Sequence, residues 1–148
     1  MAYRAPHTVP AEIDFPAPEE NEGDTRLKHL VAPWNGNTAD AVIIGMPFDH
    51  GVVLNHGRPG AAQGPTAIRR AMLRYGTTYD GDHQVDFRDL RVSDAGDVEI
   101  VDEDVPANHD RLTAALKVIL EKSSVAVVFG GGHDATFASV RALATNPD

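Results

Sequence analysis

Val42, Ile43 and Ile44 form an unbroken apolar run closed by Gly45 and Pro47, the pattern of a strand buried on both faces. A second such run, "VAVVF" (125–129), stops at three glycines. Between them, "LRVSDAGDVEI" (90–100) predicts a strand running into an acidic turn. Helical spacing is clearest over 108–122, where Leu112, Ala115, Leu116 and Ile119 recur with the 3.6-residue period and Lys122 stands at the C-terminal end. Residues 64–75 predict a helix with Pro65 in its first turn and Ile68, Met72 and Leu73 on its apolar side. Residues 135–144 predict another. A short helix is expected within 24–34, capped by Asp24 and ended before Pro33. Residues 49–64 hold too much glycine and proline to be regular and are expected to form a long loop.

Strands alternate with helices along this pattern, and the best strands are apolar throughout. That predicts an α/β protein with a mainly parallel sheet covered on both faces. Residues 1–23 hold four prolines and four glutamates without periodicity, so 1–38 reads as an N-terminal arm, extended or coiled over the surface. Residues 39–148 then form the α/β part, with no internal repeat and no linker that would divide it.

With 148 residues and 42% apolar content, the chain has material for one domain with a real core. Its 22 acidic against 13 basic side chains argue against binding to a phosphate backbone or to anionic lipid. There is no cysteine, so any metal site must draw on His, Asp and Glu, which suits harder ions such as Mn2+ or Mg2+. The N-terminus lacks the apolar core of a signal peptide, and no run approaches membrane-span length, so a cytoplasmic location is expected.

In open parallel sheets, ligands bind beyond the carboxyl ends of the strands. The loops following Ile44, Val92 and Phe129 should therefore share one rim, bringing Asp49, His50, His56, Arg58, Asp94, Asp97, His133 and Asp134 to it. Gly130, Gly131 and Gly132 allow a sharp turn and a close backbone approach wherever a Cβ would collide. His133 is then a candidate metal ligand, against the alternative of a structural histidine. A phosphate-cradling turn, and with it a nucleotide-binding domain, lacks both the G-x-G-x-x-G spacing and a P-loop lysine. His7 and His29 belong with the arm, and His109 opens what reads as a solvated helix. "YDGDHQVDF" offers Asp80, Asp82, His83 and Asp86 in a polar loop, and "VDEDV" (101–105) is most simply a solvated turn.

Three segments in order, "IIGMPFDHG…NHGRPGAAQGPTAIR" (43–69), "SDAGDV" (93–98) and "FGGGHDATF" (129–137), resemble the ureohydrolases, a superfamily that includes arginase, agmatinase and formimidoylglutamase. The resemblance covers the N-terminal half of a typical member. It implies a three-layer α/β/α sandwich with two Mn2+ at the strand ends, which together activate a hydroxide toward a guanidino or formimino carbon. By the same resemblance, His133 is a metal ligand, Gly130 to Gly132 form the glycine turn, and the segment holding Asn55 and Arg58 lies near the mouth of the site. "Gly-Gly-Gly-His-Asp" stands closer to formimidoylglutamase than to the "Gly-Gly-Asp-His-Ser" of arginases and agmatinases. N-formimino-L-glutamate, broken down during histidine catabolism, is therefore the expected substrate, with Arg58 as an anchor for its carboxylates.

The family's Asp-x-His-x-Asp and Asp-x-Asp motifs do not follow His133 here, so the other ligands and the catalytic residues are expected in a C-terminal part that this sequence does not include. The expected partners are a small amidine or guanidino substrate and either further copies of the chain or a complementing C-terminal fragment. A non-catalytic binding or assembly module of the same fold is the alternative. A sheet ending after 125–129 should leave an apolar edge prone to association.

Overall fold

The computed structural model describes residues 3–16 and 25–145. In chain order the elements are β1 (Thr8–Val9), α1 (Leu27–Leu30), β2 (Val31–Pro33), β3 (Ala39–Met46), α2 (His50–Leu54), a 3-10 turn (Ala61–Gln63) and α3 (Gly64–Met72). There follow β4 (Tyr79–Asp80), β5 (Val85–Asp86), β6 (Val92–Val98), α4 (Val105–Leu120), β7 (Ser123–Gly130) and α5 (Ala135–Ala144).

The apolar run of β3 sits at the middle of the main sheet. It pairs in parallel with β6 on one side and with β7 on the other. Val42, Ile44 and Met46 point into the core built with Leu112, Leu116 and Ile119 of α4 and with Ala138 and Ala142 of α5. Ile43 and Gly45 alternate to the opposite face, where Pro65 of α3 comes close. Helices therefore lie on both faces, the α/β/α arrangement expected from sequence. Asp104 caps α4 by accepting from the Ala107 N–H at 2.9 Å, so the acidic turn at 101–105 also starts a helix. Asn108 pins the same turn by bonding Val101 through both backbone groups, at 2.7 and 3.2 Å.

Several elements differ from the sequence expectation, each for a physical reason. The helix expected within 24–34 is a single turn. Val31–Pro33 instead adds a parallel strand to β6, an edge position where proline's missing N–H costs nothing. The Asp24 cap lies outside the described residues. The arm is also more than a surface coil: Thr8–Val9 pairs antiparallel with the far end of β6, and Ala5 is buried. The loop expected over 49–64 contains α2 and the 3-10 turn. Helix α3 buries Pro65 and Arg69 rather than Ile68, which is exposed, because two carboxylates lie beneath it. Asp80, Asp82, His83 and Asp86 belong to the separate β4–β5 hairpin, where His83 pairs with Asp80 at 2.8 Å.

One irregularity positions those two carboxylates. The register of β6 against β3 runs Ile43↔Asp94 and then Gly45↔Asp97, so three steps on one strand match two on the other. Gly96, with φ +84°, sits in this bulge, and a Cβ there would come within 2.1 Å of the Val9 carbonyl. In a regular strand, residues three apart face opposite ways. The extra residue turns Asp94 and Asp97 to the same side.

Candidate active site

The loops after β3 and β7 are zipped together at the strand ends. Gly131 N–H donates to the Met46 carbonyl at 2.9 Å, and Gly132 N–H donates to the Phe48 carbonyl at 2.7 Å. A Cβ on Gly131 would lie 2.2 Å from that Phe48 oxygen. The described glycines with positive φ are Gly36, Gly60 and Gly96, so the glycine turn at 130–132 serves close approach rather than left-handed backbone. Its members are unequal. A Cβ on Gly130 would meet only the Gly132 oxygen, at 3.8 Å, so the expected collision does not arise there. Gly130 matters differently: its carbonyl lies 2.4 Å from where a Cβ on Gly64 would stand, which lets the start of α3 reach the strand end.

His133 leaves this turn exposed to solvent and lines an open groove of about 340 Å³ with Gly130, Thr136 and Ser139. Its neighbour Asp134 turns inward. Asp134 Oδ2 lies 2.7 Å from His109 Nε2, and the carboxyl fills the space that a Cβ on Gly132 or Gly51 would need. His109 is buried and does not open a solvated helix as expected. The periodicity carries the signal for this: positions 109, 112, 116 and 119 share one helical stripe, so His109 stands on the core side of α4.

Asp94 and Asp97 are likewise committed. Arg69, with no exposed side-chain surface, donates Nε and one terminal nitrogen to Asp94 at 2.7 and 2.9 Å and the other terminal nitrogen to Asp97 at 2.6 Å. A further bond reaches the Gly96 carbonyl at 3.0 Å, and the guanidinium lies over the Phe129 ring. Burial pushes the Asp97 carboxyl above its ordinary range, with Asp94 and Glu12 adding to the rise. The Arg69 charge pulls the other way. Arg69 lies three and four residues before Met72 and Leu73, so it stands within the inward stripe of α3 although its residue type reads as solvent-facing. A signal for it existed in the two aspartates of "SDAGDV", which need a counter-charge if their strand is central.

Asp49, the fourth carboxylate of the expected rim, accepts from the N–H groups of Gly60 and Ala62 at 2.7 and 3.1 Å. Those bonds hold its carboxyl below the usual range and tie down the segment carrying Asn55 and Arg58, both exposed. His50 sits 3.7 Å from Glu103. His56 adopts a left-handed backbone, φ +58°, which a non-glycine residue rarely takes. Helix α2 abuts the glycine turn, with Val52 in the space beside Gly132. Asn55 and Arg58 thus leave from the same sheet edge as His133.

A dinuclear metal centre needs several oxygen and nitrogen donors around each ion. Among the described residues, no three His, Cys, Asp or Glu side chains converge to hold a metal. The rim carboxylates Asp49, Asp94, Asp97 and Asp134 are held by Gly60, Arg69 and His109, and the exposed imidazoles of His133 and His56 do not converge with a third donor. The donor set of this chain alone does not fit such a centre. No helix among the described residues is long and apolar enough to cross a membrane.

Residues 39–148 match the model of the arginase family. Formimidoylglutamase of Aeromonas hydrophila is 35% identical over 125 residues, which is 82% of this chain and 37% of that protein. Formimidoylglutamase of Corynebacterium efficiens is 33% identical over 138 residues, 93% of this chain and 40% of that protein. The crystal structure of Trypanosoma cruzi formiminoglutamase with Mn2+ superimposes with a TM-score of 0.73 at 36% identity, covering 81% of this chain and 40% of that one. The chain thus spans about two fifths of the length of the curated relatives it matches. The fold, the glycine turn and these matches agree, and the chain belongs to the arginase family.

Proposed function

We propose that this chain carries the N-terminal share of a formimidoylglutamase-type hydrolase, with 39–148 as its share of the hydrolase domain and 1–38 as an arm. The reaction is addition of water to the formimino carbon of N-formimino-L-glutamate with cleavage of its C–N bond to the amino acid, giving L-glutamate and formamide. The observation that carries the reading is the zipped end of β3 and β7. It withdraws Asp134 to His109 and leaves His133 facing solvent, and the relatives from Aeromonas hydrophila and Corynebacterium efficiens are named formimidoylglutamase. His133 would donate one ligand to Mn2+, the ion present in the Trypanosoma cruzi structure. The other ligands would come from the length of the family that this chain does not span. Asn55 and Arg58 would face the substrate, with the guanidinium on a carboxylate.

The test is a chimaera in which this chain replaces the matching part of the Aeromonas hydrophila enzyme. Release of formamide from N-formimino-L-glutamate, with no turnover of arginine or agmatine, is the expected result. Preference for a guanidino substrate would move the reading to arginase or agmatinase chemistry. His133→Ala in that chimaera should lower manganese content and turnover together, and His83→Ala should change neither. For the chain alone, calorimetry should find no stoichiometric tight uptake of two Mn2+.

A further inference from the structure

The chain turns from β2 into β3 through Asn35, Gly36 and Asn37. Asn35 is exposed, and its Oδ1 accepts from the Asn37 N–H at 3.1 Å. That bond closes a small ring through Asn35 Cγ and the Gly36 nitrogen, holding the two atoms on one short loop. It also sets a donor on the oxygen that would carry negative charge if a nucleophile added to Cγ. Among the described residues the Gly36 N–H donates to no acceptor, and only the Asn37 N–H bonds the Asn35 side chain. Gly36, with φ +83°, brings no side chain of its own to obstruct the approach.

We propose that Asn35 is a site of spontaneous deamidation, and that the modified turn releases the start of the N-terminal arm. The Gly36 nitrogen gives up its proton and bonds to Asn35 Cγ. The Cγ–Nδ2 bond breaks, and Nδ2 leaves with that proton as ammonia. Water then opens the cyclic imide at either carbonyl, giving aspartate or isoaspartate. Other positions are less suited. Asn37 and Asn55 precede Thr38 and His56, whose side chains crowd the backbone nitrogen, and Asn108 is buried with its amide bonded to Val101 and Asp102. Asp80 also precedes a glycine, but its bond to His83 keeps it ionised, and a carboxylate offers no leaving group.

The consequence lies in what rests on the turn. Tyr3 covers Gly36 so closely that a Cβ there would come within 2.6 Å of its ring, and Tyr3 meets Trp34 edge-on at 5.4 Å. Trp34 donates its Nε1–H to the Asn37 carbonyl at 3.0 Å. Isoaspartate routes the main chain through Cβ, which lengthens the turn by one atom and adds a carboxylate. Gly36 and Asn37 then shift from beneath both rings. The turn lies at the amino end of β3, so the rim holding His133 keeps its place. The step needs neither metal nor substrate and stands apart from the proposed hydrolysis.

The experiment ages the whole chain in mildly alkaline water enriched in oxygen-18, maps its peptides by mass, and follows the emission of Trp34, the one tryptophan. Conversion at Asn35 should run at least tenfold faster than at Asn37 or Asn55, with one heavy oxygen gained per event and isoaspartate among the products. Trp34 emission should shift to the red on the same time course, and trypsin should cut after Arg4 several-fold faster. Asn35→Gln, whose longer side chain would have to close a larger ring, should show neither change. Asn35 left intact after the denatured chain has converted would overturn the proposal. So would conversion that moves neither Trp34 emission nor cleavage at Arg4, or the same drift of emission in the Asn35→Gln variant.

Discussion

His109 Nε2 and Asp134 Oδ2 stand 2.7 Å apart, joining the second turn of α4 to the residue that leads into α5. The bond holds the segment on which His133 is mounted, and it is largely withdrawn from water. Removing either partner strands the other. His109→Ala should cost about 1–3 kcal/mol in denaturant unfolding, the usual range for a buried polar group left without its partner. Pairing it with Asp134→Ala in a double-mutant cycle should return a coupling energy of at least about 0.5 kcal/mol. Strict additivity would mean that the pair is incidental.

Arg69→Met should be among the most damaging single changes, about 3–5 kcal/mol at neutral pH, because it leaves two carboxylates beneath α3 without their cation. The pH dependence has a definite sign. Asp97 binds its proton more tightly in the fold than in the unfolded chain, so its contribution to stability declines as pH rises from the ordinary 3.8 through its raised value. Arg69 opposes that rise, and its loss enlarges it. The variant should therefore lie nearest to the wild type in acid and fall furthest below it at neutral pH, as urea midpoints across pH 4 to 7 would show.

The glycines should sort by what a methyl group would meet. Gly131→Ala and Gly45→Ala would each drive a Cβ into a neighbouring oxygen, of Phe48 and Asp97 respectively. Losses of about 1–3 kcal/mol are expected from such overpacking. Gly130→Ala meets nothing closer than 3.8 Å and Gly76→Ala meets nothing within 4 Å, so both should be neutral or slightly stabilising. Thermal melts of the four variants would test the order. A Gly130 variant as damaged as the Gly131 one would contradict it.

Asp49 stabilises the 57–63 segment only while ionised, since its oxygen accepts from two backbone N–H groups. Its folded value lies below the ordinary 3.8, so this contribution is complete above 3.8 and is lost as pH falls through the lowered folded value. Asp49→Ala should loosen the segment at neutral pH. Hydrogen exchange of the Gly60 and Ala62 amides should quicken several-fold, with β3 unaffected.

Much of the sheet could be read from the chain because its strands carry their own pattern. The run at 42–44 needs no context to be called buried, and helix 135–144 occurs as predicted. The rim proved harder to read, since residue types alone do not tell a ligand from a tether. Asp49, Asp94, Asp97 and Asp134 have the chemistry of metal donors, yet each meets a protein donor brought from elsewhere in the sequence: Gly60, Arg69 or His109. The N-terminal segments eluded the pattern because strands of two or three residues, at Thr8–Val9 and Val31–Pro33, are too short to show any period. They exist only because the outer edge of β6 is there to receive them.

The bulge at Gly96 changes what a deletion in β6 means. Asp94 and Asp97 meet Arg69 on one face, while Ala95 and Val98 pack with α4 on the other, and both pairs depend on one surplus residue between them. Excising Ala95 would remove that surplus residue and leave Asp94 and Asp97 two positions apart, so a regular strand without the bulge would still set both under the guanidinium and Val98 on the other face. A homologous strand grafted into this scaffold should thus be aligned by counting residues between its aspartates, before any comparison of what those residues are.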